Sequence, residues 1–190
     1  HRDGRGQQVQ ASRRGFLYGK REMLEALPPA SFGGSMVELA WMDQPAQYML
    51  PPARFEAGTQ PVAQVVAAGV AAEWMMSIGM DQLEAHERKL TGELLKMGDI
   101  EGIRILGPRE NADRIGTVAF DINGVHPHDV GQFIDAQGIA IRVGHHCAQP
   151  VHRHFGLYAS NRASCGVYNN VEDIHALLDA LGKVRAFFGA

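Results

Sequence analysis

Cysteine is scarce. Only Cys147 and Cys165 stand among 190 residues, too few for a disulfide framework, so both read as free thiols of a reducing compartment and the expected location is cytoplasmic. Basic runs are equally short. Arg13-Arg14 is the longest, the formal net charge is -3, and nothing offers the electrostatic footprint that a phosphate backbone needs, so no nucleic-acid partner is expected. Long apolar runs are missing too. The stretch from Val62 to Met80 is broken by Gln64, Glu73 and Ser77, whereas a spanning helix needs about 20 nearly uninterrupted apolar residues, so no membrane span is expected. The chain opens with His1-Arg2-Asp3-Gly4 and has neither an initiator Met nor a charged-then-apolar leader, so position 1 reads as something other than a native start and no export is expected.

What is present describes a globular chain. Hydrophobic residues at 45% and charged residues at 21% are close to the soluble average, and a chain of this length can bury roughly 70% of its unfolded surface. Residues 1–15 are polar and rich in Gly, Arg and Gln without apolar periodicity, and are expected to form a ragged end. Gly15 to Gly19 reads as a short strand and Arg21 to Leu27 as one or two helical turns stopped by Pro28-Pro29. Ala30 to Pro61 reads as a long irregular stretch, with Gly33-Gly34, Pro45, Pro51-Pro52 and Gly58. Pro61 followed by Val62, Val65, Val66, Gly69, Val70 and Met76 predicts a long buried helix. Asp81 to Met97 predicts an amphipathic helix capped by Asp81 and ended by Gly98.

Beyond Gly102 the period changes. Strands are predicted at 103–106, 116–122, 139–142 and 162–167, with helices at about 128–137 and 171–188, which is an α+β layer. The expected organisation is a ragged end over 1–15, a strip of a larger domain over 16–60, linking helices over 61–97 and a small domain over 98–190.

The densest polar cluster is Arg142-Val143-Gly144-His145-His146-Cys147-Ala148-Gln149-Pro150, directly after a predicted strand and bounded by Gly and Pro. A thiol in such a loop is accessible, and two imidazoles with a guanidinium nearby can favour the nucleophilic thiolate. Together with His126, His128, His152 and His154 the cluster holds enough nitrogen and sulfur for zinc. The paired spacings of structural zinc are absent, however, and no metal is expected. Cys165 follows Arg162-Ala163-Ser164 in an apolar strand and reads as a packing residue.

Three segments carry a resemblance to a family. Arg54-Phe55-Glu56-Ala57-Gly58-Thr59, the run from Arg142 to Pro150, and Arg162-Ala163-Ser164 with Tyr168-Asn169 resemble, in order and spacing, the C-terminal portion of the Suf-type cysteine desulfurases, the selenocysteine lyase-like branch of the class V aminotransferases. The likeness runs from about Phe16 to the end and takes in Gly33-Gly34-Ser35-Met36 and His128-Asp129-Val130-Gly131. It implies an α/β family fold, that of the fold-type-I pyridoxal phosphate-dependent transferases, of which this chain holds mainly the α+β small domain and a strip of the large one. The implied reaction takes sulfur from L-cysteine, leaves alanine and places a persulfide on Cys147. Arg162 matches the arginine that holds the substrate carboxylate. Gly58 and Thr59 match a loop that reaches across a homodimer to the cofactor phosphate, and His145 and His146 match positions of loop support. A sulfur acceptor or scaffold of iron-sulfur cluster assembly is the implied protein partner.

One departure stands out. The family's cofactor lysine, expected upstream of the strand matched by Phe16 to Tyr18, has no counterpart among Lys20, Lys89, Lys96 and Lys183, so this chain alone is expected to be inactive. The alternatives from other classes are a non-catalytic remnant serving as an interaction module and a zinc-binding domain built on the His/Cys cluster.

Overall fold

A computed structural model describes residues 16–111 and 114–190; the ragged end expected over 1–15 lies outside the described residues. The chain packs as two units that divide between Met75 and Met76.

The described part of the first unit begins with Phe16, Leu17 and Tyr18 in neither helix nor strand, which corrects the strand expected there. Their side chains are exposed, and no other described strand pairs with them to satisfy an extended backbone. Helix α1 (Arg21–Ala26) follows and ends before Pro28. The stretch expected to be irregular contains a small antiparallel pair, β1 (Val37–Leu39) with β2 (Gln47–Tyr48), and a 3-10 turn over Ala53–Phe55. Arg54 ties these pieces together. Its guanidinium donates to the carbonyl oxygens of Met49 (3.0 Å), Glu25 (2.7 Å) and Leu27 (3.3 Å), so this member of the recognised motif is occupied with backbone.

Helix α2 (Val62–Ile78) forms where the apolar spacing places it, but it is not buried: none of its residues is, and Val62, Val66 and Val70 are each more than half exposed. Apolar residues occupy its whole circumference, so no single stripe selects one face for the described core. No single helix among the described residues is long and apolar enough to cross a membrane.

The second unit holds the core. Helix α3 (Met80–Leu95) starts one residue before the expected cap. Gly79, at φ 97°, is the N-cap and makes no side-chain bond, while Asp81 sits in the first turn as a favourable charge rather than a cap. Leu83, Leu90 and Leu94 are buried, and the chain continues past Leu95 as a 3-10 turn over Lys96–Asp99. Four strands follow in one antiparallel sheet, β3 (Ile103–Leu106), β4 (Thr117–Ile122), β5 (Arg142–Gly144) and β6 (Ser160–Ser164), in the spatial order β3-β4-β6-β5. The last two are shifted from the expected 139–142 and 162–167, because pairing of Arg142 with Arg162 and Gly144 with Ser160 decides their limits.

Helix α4 (Pro127–Asp135) has Pro127 in its first turn and the His126 ring as its cap, accepting from the His128 N–H at 3.3 Å. A short helix not expected from the sequence, α5 (Gln149–His154), follows the polar loop. Helix α6 (Val171–Phe188) opens on a capping box between Asn170 and Asp173 and closes on Gly189 in the left-handed conformation.

Alternation along β4 sends Val118, Phe120 and Ile122 into a core shared with Leu90 and Leu94 of α3, Val130 and Ile134 of α4, and Ile174, Leu177, Leu181 and Val184 of α6. Gly131 is required where α4 crosses β5, since a Cβ there would fall 2.5 Å from Val143 Cγ2. The other sheet face carries Arg142 and Arg162, which are direct partners across β5 and β6, with Ala119 opposite Arg162 on the far side. Arg104 reaches the Phe155 carbonyl oxygen at 3.2 Å, which secures the end of α5 to the sheet.

Candidate functional site

The site is built where β5 runs out. Gly144, at φ 123°, turns the chain, and His146 (φ 53°) and Cys147 (φ 60°) then adopt the left-handed conformation in succession before α5 begins. For residues with a Cβ this costs roughly 1–3 kcal/mol each, so the surroundings must hold it. One constraint is local, an N–H of Ala148 donating to the His145 carbonyl oxygen at 2.8 Å. The turn lifts Cys147 into an exposed position at an open cavity of about 520 Å³ lined by Arg142, Val143, His145, His146, Cys147, Gln149 and Pro150.

One cation stands near this thiol, and a second is that cation's partner in the sheet. Arg142 Nη2 stands 3.8 Å from Cys147 Sγ, and Arg162 lies directly opposite Arg142 in the sheet. Like charges paired across strands are destabilising, so their retention on one face needs a reason beyond folding. The ion pairs among the described residues engage Arg21, Arg88, Lys96, Arg109, His175 and Arg185; neither Arg142 nor Arg162 is in one. The Nε of Arg162 is buried without any hydrogen-bond partner among the described residues. Arg142 lines the cavity and Arg162 is its partner across the strands; guanidiniums outside any ion pair can receive an anion, and a carboxylate fits the paired donors of either fork.

The imidazoles knit the loop to the sheet. His146 Nε2 lies 3.1 Å from Ser160 Oγ, and His152 Nε2 lies 2.9 Å from the same hydroxyl. His152 Nδ1 is 3.0 Å from the Ala148 carbonyl oxygen. His145 instead packs edge-on against Tyr158 at 4.8 Å and His152 at 5.9 Å between ring centroids. Burial, together with the charges of Arg162, His152 and Arg142, pushes the His146 pKa down to about 4, so this ring is neutral at ordinary pH. Ser160 draws no attention in the sequence as a partner of His146 and His152, because a serine in a strand carries no motif signal and the pairing is made only when β6 lies beside the loop.

Cys165 is placed differently. It is half-buried just past β6, its Sγ donates to the Gly116 carbonyl oxygen at 3.5 Å, and burial and the charge of Glu87 push its thiol pKa up. Both changes lower its reactivity. Among the described residues no group of three or more His, Cys, Asp or Glu side chains stands close enough to hold a metal ion.

Gly58 and Thr59 belong to the first unit, where Thr59 lines a separate cavity of about 600 Å³ with Phe16, Phe55 and Pro61 among others. The Gly58 N–H is already spent on the Gly34 carbonyl oxygen at 2.8 Å. Thr59 is exposed, and its hydroxyl is the group of this pair that can reach a phosphate oxygen. Of the lysines, Lys96 is paired with Glu93 at 2.6 Å, Lys89 shares a cavity with Lys96, and none lines the cavity at Cys147.

Comparison with known proteins gives a consistent set. Residues 14–177 match the family described as aminotransferase class-V. A probable cysteine desulfurase of Streptomyces coelicolor is 47% identical over 176 residues, which is 92% of this chain and 42% of that protein. Probable cysteine desulfurase 2 of Mycobacterium leprae is 45% identical over the same length and the same shares. Among solved structures, the cysteine desulfurase CsdA of Escherichia coli, in an S-sulfonic acid form, superposes with a TM-score of 0.80 at 33% identity, covering 90% of this chain and 42% of that one. The chain therefore spans 42% of the length of the curated relatives it matches.

Proposed function

The chain belongs to the aminotransferase class-V family and shares the fold of the fold-type-I pyridoxal phosphate enzymes, and from that premise we propose that it is the C-terminal part of a cysteine desulfurase that takes sulfur from L-cysteine onto Cys147. One observation carries the proposal: an exposed thiol held in a left-handed turn beside Arg142, itself paired across the sheet with Arg162, neither of them in an ion pair among the described residues.

Each residue has a part in that reaction. Arg162 binds the α-carboxylate of the substrate, which orients the cysteine side chain toward the loop. Cys147 Sγ attacks the substrate sulfur; the new S–S bond forms as the substrate C–S bond breaks, and the carbon keeps the electron pair and takes a proton to become alanine. Arg142, beside Sγ, stabilises negative charge on the attacking sulfur. Pyridoxal phosphate, when bound, supplies the electron sink that makes the C–S bond labile. In this chain Thr59 would hold its phosphate, from a loop that we place across a homodimer. The exposure of Val62, Val66 and Val70 on α2 supports further protein surface over this unit.

Because no lysine lines the Cys147 cavity and the chain covers 42% of its relatives, we assign the cofactor lysine to sequence outside these 190 residues, and expect the chain alone to be inactive. Reduction with borohydride in the presence of pyridoxal phosphate should trap no stoichiometric, site-specific lysine adduct; such an adduct would refute this assignment. An open cavity and an exposed thiol suit handing sulfur to a protein acceptor or scaffold of iron-sulfur assembly, in the cytoplasm, where both thiols stay reduced. The deciding experiment is L-cysteine turnover by the complete enzyme, with alanine measured and the persulfide mapped by mass spectrometry. Persulfide on Cys147 is expected; turnover without it refutes the role of this thiol.

A further inference from the structure

Beyond this reaction, though presupposing Cys147 as its acceptor thiol, we infer that Ser160 and His152 are positioning residues that hold the His146 ring in a single tautomer and, through it, the turn that presents Cys147. The hydrogen bonds can run in only one direction when His152 is neutral. A carbonyl oxygen can only accept, so His152 Nδ1, 3.0 Å from the Ala148 oxygen, carries the proton. Its Nε2 then has the lone pair, and accepts the Ser160 hydroxyl proton at 2.9 Å. With that proton spent, Ser160 Oγ accepts from His146 Nε2–H at 3.1 Å. His146 is thereby fixed with its proton on Nε2, and its Nδ1 lone pair is buried without a partner among the described residues.

The placement of the three residues makes this a grip on both ends of the turn. Ser160 pairs with Gly144, the residue where β5 gives way to the loop. His152 returns from α5 to Ala148, the residue after Cys147. His146 lies between them. Ser160 is fully buried and His152 is 4% exposed, so neither partner is free to swing away. The charged and titratable groups around the ring are Arg162 on β6, Arg142 on β5 and His152 on α5, and with burial they keep His146 neutral, which preserves the tautomer at ordinary pH.

The test uses the full chain labelled with ¹⁵N at histidine, read by two-bond nitrogen–proton correlation at pH 7, with timed iodoacetamide labelling of both cysteines. Wild type is expected to show His146 protonated on Nε2 alone; the opposite tautomer or an average of the two overturns the inference outright. Ser160→Ala removes the relay, and is expected to average the His146 tautomers and to change the Cys147 alkylation rate by at least about fivefold while Cys165 serves as an unchanged internal reference. Ser160→Thr keeps the hydroxyl and should restore both readouts. His152→Leu releases the serine proton toward His146 and should invert the tautomer, and it is read in place of Ser160→Ala if that variant does not fold. Either readout at its wild-type value in folded Ser160→Ala or His152→Leu, or a failure of folded Ser160→Thr to restore them, overturns the inference. A chain that gives these responses but forms no Cys147 persulfide in the complete enzyme supports the inference and rejects the sulfur-transfer reading alone.

Discussion

The two units of this chain bury very different amounts of their own apolar surface. Between residues 16 and 75 Met36 is the only hydrophobic residue in the buried set, while Phe16, Leu17, Phe32, Val62 and Val66 are all at least half exposed. Between residues 76 and 190 a continuous core runs from Leu90 to Val184 and joins β4 to α3, α4 and α6. Apolar side chains thus form an internal core in one unit and lie mostly at the surface in the other. The candidate chemistry follows the same division: Cys147, Arg142 and Arg162 are set by strand pairing and by α5 within the unit that has a core, whereas Thr59 sits on the unit that has almost none.

The sharpest test of that division is loss of function. Cys147→Ser keeps the size of the side chain but leaves a far weaker nucleophile, and is expected to abolish alanine formation and persulfide labelling in the complete enzyme. Cys165→Ala should retain both and cost on the order of 1 kcal/mol in packing. Equal persulfide labelling of the two thiols would break the assignment.

Next in size is the stability contrast. Phe120→Ala removes a fully buried ring from the core and should cost about 3–5 kcal/mol in denaturant unfolding. Val66→Ala, on the exposed α2, should fall within about 0.5 kcal/mol in the chain alone. A larger cost for Val66→Ala in the complete protein would locate the surface that covers it.

Arg162→Lys comes third. An ammonium replaces a fork, so kcat/KM for cysteine should fall roughly tenfold, about 1.4 kcal/mol, without a matching drop in melting temperature. Unchanged kinetics with a large loss of stability would make Arg162 a structural residue instead.

The smallest effect is on pH dependence. The unfolded chain protonates His146 near its ordinary value of 6.5, and the folded chain only at about 4. The unfolded state therefore binds more protons in that window, so this group's contribution is fully present above it and stability falls as the pH drops through it. His146→Asn should flatten the thermal-melting profile between those limits; an unaltered slope would show that the ring is not held neutral.

Several of these features are legible in the residues. The apolar period from Val171 to Phe188 gives α6, and β3 over Ile103–Leu106 is equally plain, because both are local patterns that need no partner to be recognised. The loop from Arg142 to Pro150 is also legible, since Gly and Pro bound a run of polar side chains. The limits of β5 and β6 are not. They depend on which residues find partners across the sheet, and a strand has no internal hydrogen bonds to mark its ends. The apolar spacing of α2 correctly gives a helix but misleads about burial, since periodicity reports what a face would bury and not whether the described chain provides anything to bury it against.

What the sequence determined by itself is the set of local preferences: most of the helices, alternating strands, a polar loop carrying one thiol and two imidazoles. Only the tertiary structure decided that Arg162 would stand opposite Arg142, that Ser160 would lie between two histidines, and that His146 and Cys147 would take left-handed backbones. These are contacts between residues separated along the chain by up to 20 positions, from Arg142 to Arg162, and no local preference encodes them. They arise when burial of Phe120, Val118 and Ala163 fixes the strand register, and the register in turn chooses which side chains share a face.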